Sequence, residues 1–590
     1  MYNSKLENLS VEKIKQMSID ELILLCSEIR QAILEITSIH GGHLSSNLGI
    51  VEIIVAAYYV FDPPMDKIIF DVSHQTYAQK IITGRYKELY YSLRENNGIS
   101  GFSSKKESIY DCFEGGHSST SISAGLGFLE NNQGNVISII GDASVSNGLA
   151  FEALNYLGSI PDKKMIVIIN DNNMSVSKNV GSLAVTFNKL RISTALKGFK
   201  KIFSNKFKTK MQTRFYKNKL FTALNLKYFE NINGHDLKAL IKYFTYAKKY
   251  NKSIVLHCKT IKGKGYQNAE NDLLGVYHSV SPFDINLGIN INNNSYGLVF
   301  SKTIDDYISL NNITNLRIIC PGMSYGCGFD KFKIKYPNYF IDCGIAEENA
   351  CEIASGMASN NLLPIVVSYS TFLQRGFDEI FHDIGRTNLH VIFLVDHAGI
   401  VERDGSTHQG IYDVSMFNTI PNIKILSIAC LNDVKTAFEY ALNYQGPIVI
   451  RYQHDYIDCN LSLDYHLSQQ LIRPSLNNKY IITYGEDVND VLNYSKYNDY
   501  GVISSNTIND FDIDFFNNLI KNSSITLITL EQVIYNNSMS MLLLSFLYQN
   551  NLLSKIHLVI NTLPNTYLEI GSIDNIKRSY KLDLDNILAE

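Results

Sequence analysis

The stretch that decides the fold runs from Asn135 to Asn173 and reads NVISIIGDASVSNGLAFEALNYLGSIPDKKMIVIINDNN. Its two apolar runs, VISII and MIVII, each end in polar residues, as buried strands of a parallel sheet do. The segment GLAFEALNYLG between them is predicted to form a helix. This strand–helix–strand order indicates an α/β fold, in which ligands bind at the carboxyl ends of the strands.

The same pattern recurs in KIIFDVSHQ, HVIFLVDHAG and GPIVIRYQ. With 590 residues, the chain is too long for a single core, because domains usually hold about 100–200 residues. We predict three domains, each a mostly parallel sheet with helices on both faces. They cover residues 1–290, 298–455 and 456–590, and the Asn- and Gly-rich stretch Ile285–Gly297 is the predicted linker between the first two.

Composition excludes several classes of partner. The formal net charge of −4 gives no general attraction to nucleic acid or to anionic membranes. The longest apolar runs, such as Val51–Phe61, are shorter than the ~20 residues that cross a bilayer, and the N-terminal segment lacks a signal-peptide core. Nine scattered cysteines without a C-x-x-C pair favour a reducing compartment. We therefore expect a cytoplasmic protein without nucleic-acid or membrane partners.

One segment differs from the rest of the chain in its charge. Residues 186–222 contain many Lys and Arg residues and no acidic residue. Such a run is compatible with a nucleic-acid-binding arm, but like charges in one run also favour a solvated, mobile flap. We favour the flap, whose charge would attract anionic substrates toward a nearby cleft.

Polar residues at two neighbouring strand ends predict a metal site. Gly141-Asp142-Ala143-Ser144 follows one strand, and Asn170-Asp171-Asn172-Asn173-Met174 follows the next. Magnesium takes near-octahedral oxygen ligands, usually a carboxylate with carbonyl or amide oxygens and phosphate oxygens. The Asp142 carboxylate, the Asn172 side-chain oxygen and the Met174 main-chain oxygen meet this need.

The Gly-Asp and Asn-Asp-Asn motifs at this spacing resemble the thiamine-diphosphate-binding motif of the transketolase superfamily. The segments GGHLSSNLGIVE, GGHSSTSISAGLG, KGKGY, YSTFLQRGFDEIFHD and DGSTHQGIYD, in this order, resemble the 1-deoxy-D-xylulose-5-phosphate synthase family from residue 35 to about residue 455. Beyond that point only TLEQ and LPNTYLEIGS are recognisable.

The resemblance implies a transketolase-like transferase that uses thiamine diphosphate and one Mg²⁺ per subunit. Its expected reaction joins pyruvate to D-glyceraldehyde 3-phosphate with loss of carbon dioxide, forming 1-deoxy-D-xylulose 5-phosphate. Members of the family are homodimers whose product serves isoprenoid (non-mevalonate) and thiamine biosynthesis. The resemblance further implies that the cofactor binds between the first two domains of one chain.

The resemblance also assigns residues to the cofactor. Glu347, in Ile345-Ala346-Glu347, matches the acid that sits beside N1′ of the aminopyrimidine and promotes its imino tautomer. The other implied cofactor-binding residues are His74, Gly116, His117, Ser118, Ala143, Ser144, Asn172, Lys262, Tyr266 and Phe372. Lys262 would offset diphosphate charge as a point cation.

Further residues match the reacting end of the site. His43 and His278 correspond to histidines near the reacting carbon, and histidine exchanges protons near neutral pH. His408 is a further catalytic candidate. The residues expected to line the substrate, including the phosphate of the aldehyde, are Tyr369, Asp404, Arg451, Arg403 and His397.

The sequence departs from the family at informative positions. His397 stands where the segment D-R-A-G-I-V has a phosphate-binding arginine, and Arg403 is a nearby substitute. Ala143 replaces the glycine of Gly-Asp-Gly, which is harmless at negative φ but costs about 1 kcal/mol at positive φ.

Other departures follow later in the chain. The Pro-Arg-Gly that usually follows Arg451-Tyr452 is missing, and Glu348-Asn349 replaces Gln-His. A glycine-rich turn is lost after TLEQ. Three hypotheses therefore stay open: the synthase itself, a related carboligase with a different donor or acceptor, and a non-catalytic paralogue or binding partner.

Overall fold

The computed structural model describes residues 2–172, 174, 180–182, 220–290 and 294–587. It divides into two compact units, Met1–Ile291 and Asn292–Glu590. The first unit contains one five-stranded sheet, and the second contains a six-stranded and a five-stranded sheet.

The sheet of the first unit has the strand order β2-β3-β4-β6-β5 and is parallel throughout. A separate antiparallel pair, β1 with β7, places His43 opposite Ser279. The strands are β1 (Gly42–His43), β2 (Lys67–Phe70), β3 (Val136–Gly141), β4 (Met165–Asp171), β5 (Lys227–Asn233), β6 (Ile254–Lys259) and β7 (Ser279–Val280).

Helices cover both faces of this sheet. Ile137 and Ile139 of β3 pack into one core with α3 and α4, while Val136 and Ile140 pack into another core with α8. Alternate strand residues point to opposite faces, so both faces are apolar. The helices are α1 (Ser4–Glu7), α2 (Val11–Gln16), α3 (Ile19–His40), α4 (Ser45–Val60), α5 (Tyr77–Ile82), α6 (Tyr86–Ser92), α7 (Ser121–Phe128), α8 (Gly148–Ser159), α9 (Leu220–Ala223), α10 (Leu237–Lys249) and α11 (Gln267–Glu270).

The second unit begins with a parallel six-stranded sheet of order β12-β13-β11-β10-β8-β9. Its other sheet has the order β14-β16-β15-β17-β18, and only β14 is antiparallel to its neighbour. The strands are β8 (Leu316–Ile319), β9 (Phe340–Ile341), β10 (Leu363–Tyr369), β11 (Ile392–Asp396), β12 (Lys424–Ser427), β13 (Ile448–Arg451), β14 (Gln469–Arg473), β15 (Lys479–Thr483), β16 (Gly501–Ser505), β17 (Ile525–Thr529) and β18 (Ile556–Val559).

The sheets of the second unit are also buried on both faces. In β11, Ile392 and Leu394 pack into one core while Phe393 and Val395 pack into another. A π-helical segment spans Glu379–Gly385. The α-helices are α12 (Tyr296–Asn311), α13 (Asp330–Lys335), α14 (Glu347–Ser359), α15 (Ser370–Leu373), α16 (Asp413–Phe417), α17 (Asp433–Asn443), α18 (Asp487–Asn493), α19 (Ile513–Leu519), α20 (Met539–Gln549), α21 (Ile573–Ser579) and α22 (Leu584–Ile587).

The predicted α/β class is confirmed, and the five apolar runs quoted above form β2, β3, β4, β11 and β13. The predicted helix GLAFEALNYLG is α8, and Asn147 caps it by accepting a hydrogen bond from Leu149 N–H. The domain boundaries at residues 298–455 and 456–590 stay predictions. The basic segment at 186–222 lies outside the described residues except for residues 220–222 in α9. Within the described ranges, no helix has the length and apolarity needed to span a bilayer.

Candidate active site

The predicted metal ligands lie at the ends of two adjacent parallel strands. Gly141 of β3 is paired with Asn170 of β4, and the main-chain N–H of Asp142 donates to the Asn170 carbonyl oxygen at 3.2 Å. The Asp142 residue is buried. The Asn172 Oδ1 atom accepts a hydrogen bond from the main-chain N–H of Met174 at 3.0 Å. This set offers carboxylate, amide and carbonyl oxygens, the donor types that suit Mg²⁺.

The backbone at Ala143 is ordinary. Its φ of −68° and ψ of −43° lie in the right-handed helical region, which any L-residue adopts without strain. The replacement of glycine by alanine at this position therefore carries no backbone penalty.

A buried cation lies close to Asp142. Burial lowers the pKa of Lys262 to about 8, while the carboxylates of Asp272 and Asp142 act in the opposite direction. The amine is thus still mostly protonated at pH 7, as a residue that balances diphosphate charge must be.

The buried carboxylate of Asp71 holds the loop that carries Gly116, His117 and Ser118. Asp71 Oδ2 accepts from Ser119 N–H at 2.8 Å, and Oδ1 accepts from Ser121 N–H at 3.1 Å. The Ser119 hydroxyl donates to the carbonyl oxygen of Ser144 at 2.9 Å. These bonds bring the loop next to the Gly-Asp-Ala-Ser turn.

Sequence reasoning did not single out Asp71. The available signal was its position directly after the apolar strand β2, in DVSHQ, where a buried acid needs several hydrogen-bond donors.

Three histidines of the predicted site form one cluster in the first unit: His43 and His278, expected near the reacting carbon, and His74, expected to contact the cofactor. The ring centroids of His43 and His74 are 5.0 Å apart, those of His43 and His278 are 5.7 Å apart, and those of His74 and His278 are 5.3 Å apart. Phe102 packs edge-on against His43 at 5.4 Å. Three imidazoles from distant parts of the sequence thus share one small volume.

Asn47 fixes the main chain of two members of this cluster. Its Nδ2 atom donates to the carbonyl oxygen of His43 at 2.6 Å and to that of His74 at 2.8 Å. Its Oδ1 atom accepts from Tyr77 N–H at 2.9 Å. Asn47 is fully buried, so the spacing of the two histidines depends on these three hydrogen bonds. Sequence reasoning missed this residue, because a lone asparagine in a helix carries no signal of its own.

Tyr266, a predicted cofactor contact, is surrounded by protein groups. Its hydroxyl donates to the carbonyl oxygen of Ile285 at 2.9 Å, and its ring packs against Tyr277 and Phe283. Its assignment to the cofactor stays a prediction, and its contacts are those of a core residue.

Glu347 is the first residue of α14 and is buried. Among the described residues, its Oε2 atom has no hydrogen-bond partner, and Nη1 of Arg375 lies 3.7 Å from it. Burial raises the pKa of Glu347 to about 7, and Arg375 only partly offsets this effect. The structure therefore holds a carboxyl group that exchanges a proton at neutral pH. Arg375 was not predicted, although it follows Phe372 by three residues.

Aromatic rings line the end of β10. Tyr369 and Phe372 are stacked at a centroid distance of 5.4 Å, and His408 packs edge-on against Phe372 at 5.5 Å. The ring of His397 lies 3.9 Å from that of Tyr369. Four residues predicted for cofactor and substrate are therefore neighbours.

A second histidine, which sequence reasoning did not name, joins His397. The ring of His454 lies 4.6 Å from that of His397, and both Nδ1 atoms contact the buried carboxylate of Asp396. His454 occupies the arginine position of the Pro-Arg-Gly that is missing after Arg451-Tyr452, which was the available signal.

The remaining predicted substrate residues are placed differently. The Arg451 guanidinium is buried and donates twice to Asp413, from Nε at 3.0 Å and from Nη2 at 3.2 Å. Arg403 has a side chain that is 41% exposed, with Nε 3.8 Å from Glu402. Asp404 accepts from the Thr407 hydroxyl through its carbonyl oxygen. The guanidinium of Arg451 is therefore paired with Asp413 inside the protein.

Two family models match the chain. One, described as 1-deoxy-D-xylulose-5-phosphate synthase, matches residues 6–260, and one described as transketolase, pyrimidine binding domain, matches residues 299–457. The 1-deoxy-D-xylulose-5-phosphate synthase of Clostridium tetani is 35% identical, with 98% of each chain covered. That of Clostridium kluyveri is 41% identical over 75% of this chain and 74% of its own. A solved transketolase from Leishmania mexicana is 14% identical to this chain, with a TM-score of 0.43. The match covers 97% of this chain and 96% of the transketolase chain.

Proposed function

The chain belongs to the 1-deoxy-D-xylulose-5-phosphate synthase family, and from this membership we propose that it condenses pyruvate with D-glyceraldehyde 3-phosphate. The products are 1-deoxy-D-xylulose 5-phosphate and carbon dioxide. The enzyme is a thiamine-diphosphate-dependent transferase. When bound, that cofactor supplies the nucleophilic carbon that the protein cannot provide.

The observation that carries the proposal is the burial of the Glu347 carboxyl group and its raised pKa. A carboxyl group beside the aminopyrimidine must be able to hold a proton at neutral pH and must have an oxygen available for the ring nitrogen. The raised pKa of about 7 meets the first condition, and the Oε2 atom, which has no hydrogen-bond partner in the part of the chain that the structure describes, meets the second. A solvent-exposed glutamate would fail the first condition, because its pKa stays near the ordinary value.

The diphosphate and metal residues of the first unit support the same function. We propose that Asp142, Asn172 and Met174 hold one Mg²⁺, and that Lys262 balances the diphosphate charge. The loop Gly116–Ser118 and Ser144 would supply main-chain and hydroxyl donors, and Ala143 fits the turn because its φ is negative. Asp71 acts through this loop by fixing its main chain.

The imidazole cluster is suited to proton transfer at the reacting carbon. We assign this role to His43 and His278, with His74 beside them as a cofactor contact. Clustered histidines stabilise a developing alkoxide and exchange protons near neutral pH. The cluster also counts against a non-catalytic paralogue, because three imidazoles that meet in one place, with His43 buried, are an arrangement that proton transfer needs.

The residues expected to bind the acceptor aldehyde support a second candidate function. Tyr369, Asp404 and His408 keep their proposed roles there, but the guanidinium of Arg451 is paired with Asp413, and His397 and His454 replace arginines. A carboligase of the same mechanism with a different acceptor aldehyde is therefore the alternative. Homodimer formation and a cytoplasmic location remain part of the proposal, by analogy with the family.

The deciding experiment measures carbon dioxide release from labelled pyruvate by the purified protein with thiamine diphosphate and Mg²⁺. Glyceraldehyde 3-phosphate is present in one arm and absent in the other, and the product is identified by mass. Aldehyde-stimulated release with deoxyxylulose phosphate as product supports the synthase. Release without stimulation retains the cofactor chemistry and favours the alternative acceptor, which a panel of unphosphorylated aldehydes then tests. A protein that releases no carbon dioxide in either arm would refute both.

A further inference from the structure

Three potential metal ligands converge at the carboxyl end of the six-stranded sheet. Asp396 ends β11, His397 follows it, and His454 lies three residues beyond β13, the neighbouring parallel strand. One potential ligand atom from each residue, a carboxylate oxygen or an imidazole nitrogen, lies within 4.8 Å of the other two. Two imidazoles and one carboxylate form a common ligand set for catalytic and regulatory zinc sites.

The distances from one carboxylate oxygen to the two imidazole nitrogens fit a tetrahedral site. Asp396 Oδ1 lies 3.0 Å from His397 Nδ1 and 3.4 Å from His454 Nδ1. Zinc binds such ligands at about 2.0–2.1 Å, which places neighbouring ligands of a tetrahedron about 3.3 Å apart. The observed separations are therefore close to the edges of a zinc tetrahedron.

The backbone fixes the ligands in advance. His397 has a φ of +57°, and its main-chain N–H donates to Asp396 Oδ1 at 2.7 Å. A main-chain hydrogen bond joins the two loops that carry His397 and His454, because Ala398 N–H donates to the carbonyl oxygen of Tyr452 at 3.0 Å. Because these ligands are already held in place, ordering them when an ion binds costs little free energy.

The electrostatics of the cluster also suit a cation. Asp396 is completely buried, and its carboxylate faces the imidazoles of His397 and His454. A buried carboxylate needs a positive partner, either imidazolium protons or a metal ion.

The side chains leave one side of the cluster open. The side chains of His397 and His454 are 21% and 40% exposed, so an ion can enter, and a water molecule or an anionic oxygen can complete its shell. Imidazole nitrogens suit Zn²⁺, Co²⁺ or Ni²⁺, whereas Mg²⁺ prefers oxygen ligands alone. The cluster is thus chemically distinct from the oxygen-rich set at Asp142.

We propose that Asp396, His397 and His454 bind one divalent transition-metal ion of the zinc class, in addition to the Mg²⁺ of the cofactor. The proposal does not depend on which acceptor the enzyme uses. The ring of Tyr369 lies beside that of His397, so the ion would border the substrate residues assigned above.

The test is titration of the full-length protein with Co²⁺ in the presence of excess Mg²⁺ and a phosphine reductant, which contains no thiol. We expect one equivalent of Co²⁺ to give the visible absorption of four- or five-coordinate cobalt, and one equivalent of Zn²⁺ to displace it. Both signals should be lost in His397→Gln and in His454→Gln. Retention of the full signal in either variant would overturn the proposal.

The matched control is His382→Gln. His382 also has Nδ1 near a carboxylate, 2.9 Å from Asp383 Oδ1, but this exposed pair has no third potential ligand among the residues that the structure describes. This variant should keep the cobalt spectrum. A near-ultraviolet thiolate band would place the ion on cysteine and would also contradict the assignment. Thermal unfolding of each variant identifies any that lose the fold, and because two histidine variants are available, one folded variant suffices.

Discussion

Nη1 of Arg375 lies 3.7 Å from Oε2 of Glu347, beyond hydrogen-bond distance but close enough for a strong Coulombic interaction in a buried site. Burial raises the pKa of Glu347, and the guanidinium limits the rise so that the pKa is about 7. The pair thus sets the proton affinity of the carboxyl group that the proposed mechanism needs.

Replacement of Arg375 by Met should raise the pKa of Glu347 further, because the positive charge that lowers it is removed. The alkaline limb of the kcat–pH profile should then move to higher pH. The control is Arg386→Met, which also removes a guanidinium but one whose Nε donates to the carbonyl oxygen of His382. Identical profiles for Arg375→Met and wild type would show that the pair does not tune the acid.

Glu347→Gln should change how stability depends on pH. The folded-state pKa is raised from 4.5 to about 7, so this carboxyl contributes stability that is complete below about pH 4.5 and is lost as pH rises through 7. The loss is about 3 kcal/mol at most. Calorimetry of the cofactor-free proteins should show a larger fall in Tm from pH 5 to pH 8 for wild type than for the variant. Parallel curves would contradict the raised pKa.

Glu347→Gln should also abolish carbon dioxide release at every pH, because glutamine cannot exchange the proton. Normal thiamine diphosphate binding by calorimetry would show that the lost step is chemical. Turnover in this variant would remove Glu347 from the mechanism.

Asn47→Ala should disturb the His43–His74 spacing, because two carbonyl groups and one N–H lose their buried partner. Misplacement of catalytic groups lowers rates by between about tenfold and about a hundredfold, so we expect kcat for carbon dioxide release to fall within that range. Asn132→Ala is the matched control, since the Asn132 Nδ2 atom also donates to two main-chain carbonyls, those of Gly134 and Asn135. Equal kcat values for the two variants would exclude a positioning role.

Asp71→Asn should weaken thiamine diphosphate binding, because one of the two main-chain N–H groups of the 116–121 loop loses its acceptor. We expect about a tenfold rise in Kd, equivalent to about 1.4 kcal/mol, measured by calorimetry because the chain has no tryptophan. Asp66→Asn provides the control. Asp66 is also buried and also accepts main-chain N–H groups, from Asp62 and Asn135. Unchanged affinity in Asp71→Asn would contradict the role given to this loop.

Ala143→Gly restores the glycine that the family has in its Gly-Asp-Gly motif. Because the φ of Ala143 is negative, glycine relieves no strain and only increases the conformational entropy of the unfolded chain. We expect unchanged kcat and a loss of about 0.5–1 kcal/mol in stability, visible as a lower Tm. A gain in activity or stability would mean that alanine is strained there.

The sequence alone determined the fold class and most of the candidate site. Apolar runs with polar ends predicted β2, β3, β4, β11 and β13, because a strand buried on both faces must be apolar along its length. Motifs at strand ends predicted Asp142 and Asn172, and the family resemblance singled out Glu347 and the histidines that the structure brings together.

Tertiary structure decided what depends on neighbours distant in sequence. The raised pKa of Glu347 depends on burial by the elements packed around it. The Asn47 bridge between His43 and His74 and the pairing of Arg451 with Asp413 each require groups from separate elements. The Asp396–His397–His454 cluster likewise forms only because β11 and β13 are adjacent. Sequence patterns report periodicity along one element, whereas burial and charge interactions depend on which elements pack together.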